Sequence, residues 1–255
     1  MAFITMHHRT FEPGGAVAVL TLDDPARRNA LNVEMCAEMV AAVQDAEADD
    51  DVGALVITGT APAFCAGADL SQLGDSQRDG LKAIYSGFLA VANTPLPTIA
   101  AVNGAAVGAG MNLALACDVR IAGSSSRFDT RFLDLGIHPG GGHTWMMNNI
   151  VGPQSTAAMV LFGQILDGGE ARRIGLVWDC VDDDHLVDAA VAMAARAAAG
   201  PSELVTRLKA TIKDMPQVAT HAEAVERELD PQVWSINQPA FAAKLAALKA
   251  SITSK

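Results

Sequence analysis

Apolar positions along the chain follow two periods. Val17-Ala-Val-Leu-Thr-Leu22, Gly53-Ala-Leu-Val-Ile-Thr-Gly59 and Thr98-Ile-Ala-Ala-Val102 are short, nearly continuous apolar runs bounded by turn-forming residues. That pattern predicts strands buried on both faces. Residues 119–122 and 177–180 read as shorter strands. Leu31, Met35, Met39 and Val43 recur every four residues, which predicts a helix capped by Asn32 with Glu34 in its first turn. Further helices are expected over 81–91, 143–150, 156–162, 170–175, 185–199, 203–213 and 239–251. The last of these puts Phe241, Leu245, Leu248 and Ile252 on one stripe. Residues 71–80, rich in Ser, Gln, Asp and Gly, read as a mobile loop. Glu47 to Asp51 reads as a solvated helix end, and His7-His8 as a solvated strand edge.

The unit of strand, small-residue turn and helix occurs twice, around Ala63–Leu70 and Ala101–Asp118. This alternation implies an α/β protein with stacked parallel units. From Ser155 the chain becomes helices joined by short breaks, so the expected division is a core over 1–200 and a helical region over 201–255.

Ala101–Asp118 carries the clearest chemistry. Gly104, Gly108 and Gly110 remove side chains where the backbone must bend or admit a ligand. A helix that starts just after them aims free N–H groups at whatever sits there. That is the construction of a site for a developing negative charge. A third glycine-rich turn spans Phe128–Gly142, and Asp118 reads as an acceptor for backbone N–H groups at its own turn. Trp145 and the Met146-Met147 pair are expected to wall a pocket or the core.

Composition narrows the classes. The 255 residues are 50% apolar and 18% charged, with a net charge of −11. A nucleic-acid surface needs a clustered cationic excess, which 18 basic residues among 29 acids do not supply. Cys36, Cys65, Cys117 and Cys180 form no CxxC pair and no zinc spacing, so they read as reduced core thiols and no metal is expected. No apolar signal region opens the sequence and no run reaches membrane-spanning length, so a cytoplasmic protein without membrane contact is expected. Gly108-Ala-Gly110 is followed by Leu113 where a dinucleotide fingerprint needs glycine. P-loop, GxSxG and HExxH signatures are absent.

Four motifs resemble the enoyl-CoA hydratase/isomerase (crotonase) superfamily. They are Arg27-Arg-Asn-Ala-Leu-Asn32, Phe64-Cys-Ala-Gly-Ala-Asp69, Ala101-Val-Asn-Gly with Gly108-Ala-Gly110 and Cys117-Asp118, and Leu135-Gly136 with Pro139-Gly-Gly-Gly142. The resemblance implies an α/β crotonase spiral of ββα units and a helical C-terminal trimerisation region. It also implies a homotrimer or a dimer of trimers, and a coenzyme A thioester as substrate rather than a separate cofactor. By the same resemblance the backbone N–H groups of Ala68 and Ala109 form an oxyanion hole that polarises a thioester carbonyl and stabilises the enolate. Ala30 and Ala66, Gly67, Ala68, Asp69 and Leu70 would contact coenzyme A, with Arg27 and Arg28 near its phosphates. Phe241 and Lys244, from a neighbouring subunit, would close the pocket.

Two departures bear on the chemistry. Family hydratases carry glutamates where this chain has Asn112 and Phe132. Syn hydration needs a base for water and an acid for the α-proton, and neither residue supplies one. Standard hydratase activity is therefore expected to be weak or absent. Three readings remain open. Asp134, His138 or His143, around the Gly140 turn, takes over proton transfer; the oxyanion hole alone serves thioester cleavage or decarboxylation; or the protein binds acyl-CoA as a carrier or regulatory module.

Overall fold

The computed structural model describes residues 2–11, 14–73 and 77–253. The chain divides into two compact units, Met1–Ala199 and Gly200–Lys255.

In the first unit β1 (Ile4–Thr10), β2 (Ala16–Leu22), α1 (Val33–Ala48), β3 (Val52–Gly59), β4 (Ala63–Cys65), α2 (Leu70–Leu73) and α3 (Arg78–Asn93) come first. They are followed by β5 (Thr98–Val102), β6 (Ala105–Val107), α4 (Ala109–Ala116), β7 (Val119–Gly123) and β8 (Arg127–Asp129). After these lie α5 (His143–Val160), β9 (Leu166–Asp167), α6 (Gly168–Arg173), β10 (Asp179–Val181) and α7 (Leu186–Ala198). A six-stranded sheet runs β1-β2-β3-β5-β7-β10, parallel except for the antiparallel β1–β2 edge pair. A second sheet runs β4-β6-β8-β9, with only β9 antiparallel.

Strand alternation explains why the apolar runs are continuous. Val17 and Val19, Ala54 and Val56, and Ile99 and Ala101 face α7 and pack on its Leu186, Ala190, Val191, Ala194 and Ala198. Their neighbours Ala18, Leu20, Leu55, Ile57, Ala100 and Val102 point the other way, into the main core with α1, α3 and α4. With both faces covered, neither set of alternate positions is free to be polar.

Asn32 caps α1 by accepting from Met35 N at 2.7 Å, and Asp118 Oδ2 accepts from Thr98 N at 2.8 Å. The expected loop over 71–80 is overtaken at both ends: Leu70–Leu73 is a helical turn and α3 begins at Arg78, while 74–76 lie outside the described residues. The two helices expected between 143 and 162 are the halves of α5, broken at Gly152. Trp145 is 69% exposed, so it walls neither pocket nor core, whereas Met147 is fully buried. All four cysteines are free; Cys36, Cys65 and Cys117 are buried and Cys180 is half-buried. Burial pushes the Cys36 and Cys65 thiols up to about 11 and about 12.

The second unit contains α8 (Ser202–Asp214), α9 (His221–Ile236) and α10 (Pro239–Thr253). The apolar pattern does not pick out α9, but its cap does: Thr220 accepts from Glu223 N and Glu223 accepts from Ala219 N, a Thr-x-x-Glu signal. Arg207 stacks 4.1 Å from the Trp234 ring within this unit. Among the described residues no helix is long and apolar enough to cross a membrane.

Candidate active site

The three small-residue turns follow β4, β6 and β8, which are parallel neighbours in one sheet. Parallel strands end at the same edge, so the turns that follow them meet there; ligands bind at the carboxyl ends of parallel strands for this reason. Between the turns lies a cavity of about 380 Å³. Ala66, Gly67 and Ala68 line it from the first turn, Gly108, Ala109 and Asn112 from the second, and Thr130, Arg131 and Phe132 from the third. Leu81, Ile84 and Tyr85 of α3 form one wall, and Leu135, Ile137, His138 and Gly140 another.

Ala68 and Ala109 contribute backbone rather than side chains. Ala109 is the first residue of α4, whose N-cap is Gly108, so its N–H has no intrahelical partner. The Ala68 strand bridge to Leu31 uses Gly67 O and Asp69 N, not Ala68 N. Among the described residues neither N–H meets an acceptor. Gly67 lets the first turn lie close against the second: its φ is +110°, and a Cβ there would be 4.0 Å from Ala109 N and 3.0 Å from Val107 O. Gly110 lets α4 press onto β4, since any Cβ would overlap the Cys65 carbonyl oxygen.

Arg27, Arg28 and Ala30 are brought against the Ala66–Leu70 turn. Ala66 N donates to Arg28 O, Leu31 N to Gly67 O and Asp69 N to Leu31 O, at 2.7 to 3.0 Å. Both arginine side chains are exposed. Hydrogen bonds from the Ser71 hydroxyl and N–H hold the Asp69 carboxyl below the usual range. The residue that locks this corner is Asn29, inside the Arg27–Asn32 motif. It is fully buried at φ +58°, and its Nδ2 donates to Thr60 O and Ala63 O at 2.8 Å each.

The positions around the third turn separate sharply. Asn112 is 1% exposed; its Nδ2 donates to Gly140 O at 3.0 Å, and its Oδ1 lies 2.7 Å from His143 Nδ1. A carbonyl only accepts, so the amide nitrogen faces Gly140, the amide oxygen faces His143, and Nδ1 carries the imidazole proton. That leaves His143 Nε2 as a buried lone pair without a partner among the described residues. His143 is 1% exposed and does not line the cavity, and burial pushes its pKa down to about 4. Phe132 packs edge-on to the same ring, centroids 4.8 Å apart. His143 is therefore a neutral core partner of both Asn112 and Phe132, which removes it as a proton-transfer candidate. Asp134 is exposed and lines no part of the cavity, so it too is removed. His138 does line it, with Nδ1–H donating to Pro139 O at 2.7 Å and Nε2 left to act.

Arg131 and Tyr85 are cavity residues that the motifs did not reveal. Arg131 follows β8 at φ +57° and is ion-paired with Asp129, which also takes Arg127 Nη2 at 2.9 Å. Burial alone would raise the Asp129 carboxyl, but hydrogen bonds from Arg131 and Arg127 hold it below the usual range. Phe241 and Lys244 lie in the second unit, along a depression shared with Leu204 and Trp234.

Comparison with known proteins agrees with this architecture. Residues 12–242 match the model of the enoyl-CoA hydratase/isomerase family. A protein of Mycobacterium tuberculosis (strain ATCC 25618 / H37Rv) named as a probable enoyl-CoA hydratase is 52% identical over 91% of this chain and 93% of its own. The 1,2-epoxyphenylacetyl-CoA isomerase of Escherichia coli K12 is 36% identical over 79% of this chain and 78% of its own. The crystal structure of an enoyl-CoA hydratase subunit from Geobacillus kaustophilus HTA426 superposes with a TM-score of 0.88 at 28% identity, covering 98% of this chain and 97% of that one. The strand order, the converging turns and these matches together show that the chain belongs to the enoyl-CoA hydratase/isomerase family and has the crotonase fold.

Proposed function

We propose that the cavity binds a coenzyme A thioester and stabilises its enolate, with His138 as the proton-transfer group and with little or no standard hydratase activity. The carrying observation is that Ala68 and Ala109 line one cavity and that, among the described residues, neither backbone N–H has an acceptor. A thioester carbonyl placed between them gains two donors that strengthen as negative charge develops on its oxygen, and removing one such donor typically costs about 10²- to 10³-fold in rate. Ala30, Ala66–Leu70 and the Arg27–Arg28 turn take the coenzyme A side. Phe241 and Lys244 complete the site in a homotrimer or dimer of trimers. Asn112 and Phe132 offer no acid or base for adding water, whereas His138 has a free ring nitrogen on the cavity wall.

The test is α-proton exchange of a saturated acyl-CoA in D₂O, followed by mass spectrometry, beside hydration of crotonyl-CoA. The expected result is exchange that His138→Gln lowers at least about tenfold, with crotonyl-CoA hydration near background. Tight binding without any exchange would favour the second reading, a carrier or regulatory module for acyl-CoA, which the missing glutamates also fit. Absence of acyl-CoA binding would overturn both.

A further inference from the structure

Arg131 is the one arginine or lysine lining the cavity among the described residues, in a protein of net charge −11. Three features set it apart from an ordinary surface arginine. Its backbone holds φ +57°, a conformation that non-glycine residues adopt at a cost and that gathers at functional sites. Its guanidinium is anchored through Nε and Nη2 on Asp129 Oδ2, leaving Nη1 with no acceptor among the described residues. The anchoring carboxylate is 3% exposed and shared with Arg127, so two cations rest on one buried anion, while 39% of the Arg131 side chain stays open. Asp134 adds to the field at Arg131 from an exposed position but makes no ion pair with it.

Strand order says which end of a ligand it would meet. The Ala66–Leu70 turn follows β4, Ala109 follows β6 and Arg131 follows β8, with β6 between the other two. At about 4.8 Å per strand spacing, Arg131 is roughly 10 Å across the sheet from the turn given to coenzyme A. A carbonyl between Ala68 and Ala109 would therefore direct its acyl chain, not its nucleotide, toward β8. We infer that Arg131 is a specificity-determining residue for acyl groups ending in a carboxylate, held by a charge-assisted hydrogen bond from its open guanidinium edge. The inference rests on the acyl-CoA reading above.

Calorimetric titration of the full chain with length-matched esters tests it: succinyl- against butyryl-CoA, glutaryl- against valeryl-CoA, adipyl- against hexanoyl-CoA, with free coenzyme A alongside. At least one carboxylate-ended ester is expected to bind about tenfold tighter than its methyl-ended match, with the preference shrinking as salt rises. Arg131→Gln should erase that preference, so that the affinity ratio within each matched pair falls to about one. Equal or weaker binding of every carboxylate-ended ester by the unaltered protein overturns the proposal without needing a variant. Equal weakening of all ligands, free coenzyme A included, by Arg131→Gln assigns the arginine to the nucleotide phosphates and also overturns it. Binding of no ester at all overturns the acyl-CoA reading and this proposal with it, a result distinct from binding without preference.

Discussion

His143 touches both Asn112 and Phe132: its Nδ1 lies 2.7 Å from Asn112 Oδ1, and its ring meets the edge of Phe132 at 4.8 Å. The three residues form one packed unit beneath the Gly140 turn. Asparagine at 112 matches a local demand, because Gly140 O takes a donor that a carboxylate lacks.

This unit makes stability pH-dependent. The His143 pKa is lowered from 6.5 to about 4 by burial, so the unfolded chain takes up a proton before the folded one does. Its contribution is complete above pH 6.5 and is lost as pH falls from there through about 4, amounting to about 3 kcal/mol at most. Urea unfolding at pH 7, 5.5 and 4 should show this slope, and His143→Gln, which still offers a donor to Asn112, should flatten it relative to the unaltered protein.

Asn112→Asp converts the neutral partner of Nδ1–H into an anion. The His143 imidazolium then gains a charge partner, and its pKa should rise above the value near 4, readable by NMR titration of the ring protons. The same change leaves Gly140 O facing a carboxylate oxygen, so a stability loss of about 1 to 3 kcal/mol at pH 7 is expected.

Placing glutamates at both 112 and 132 should not by itself confer hydration. In an Asn112→Glu, Phe132→Glu variant both new carboxylates meet His143, which takes the space and the charge that a catalytic pair needs. Crotonyl-CoA hydration is expected to stay near background in the double variant and to rise at least about tenfold when His143→Gly is added, because the pair is then free to act as acid and base.

Ala109→Pro tests the proposed oxyanion role. Proline is tolerated at the first position of a helix, and the N–H it removes bonds to nothing among the described residues. Turnover or α-proton exchange should fall about 10²- to 10³-fold with little change in melting temperature. An unchanged rate would mean that the carbonyl is polarised elsewhere.

Gly110→Ala tests packing at the same turn. The added methyl overlaps the carbonyl oxygen of Cys65, a backbone atom of β4 that cannot rotate away. A loss of about 2 to 4 kcal/mol is expected in urea unfolding.

Local rules sufficed for much of this. Continuous apolar runs announced β2, β3 and β5 because both faces of a parallel sheet are covered, and Asn32 marked the start of α1 because a side-chain oxygen must satisfy a helix N-terminus. The glycine turns at Gly67, Gly108 and Gly110 were visible for the same kind of reason, since their backbone demands are written in residue type. Strands β4, β6 and β8 have three residues each, too few to carry a period, yet their parallel pairing brings the turns together. Sequence likewise showed that Asn112 and Phe132 cannot transfer protons. Only the tertiary structure decided that His143 is their buried partner, that Asp134 lies outside the cavity, and that Arg131 lines it. Those outcomes depend on which side of a turn faces water, a property that chain neighbours do not determine.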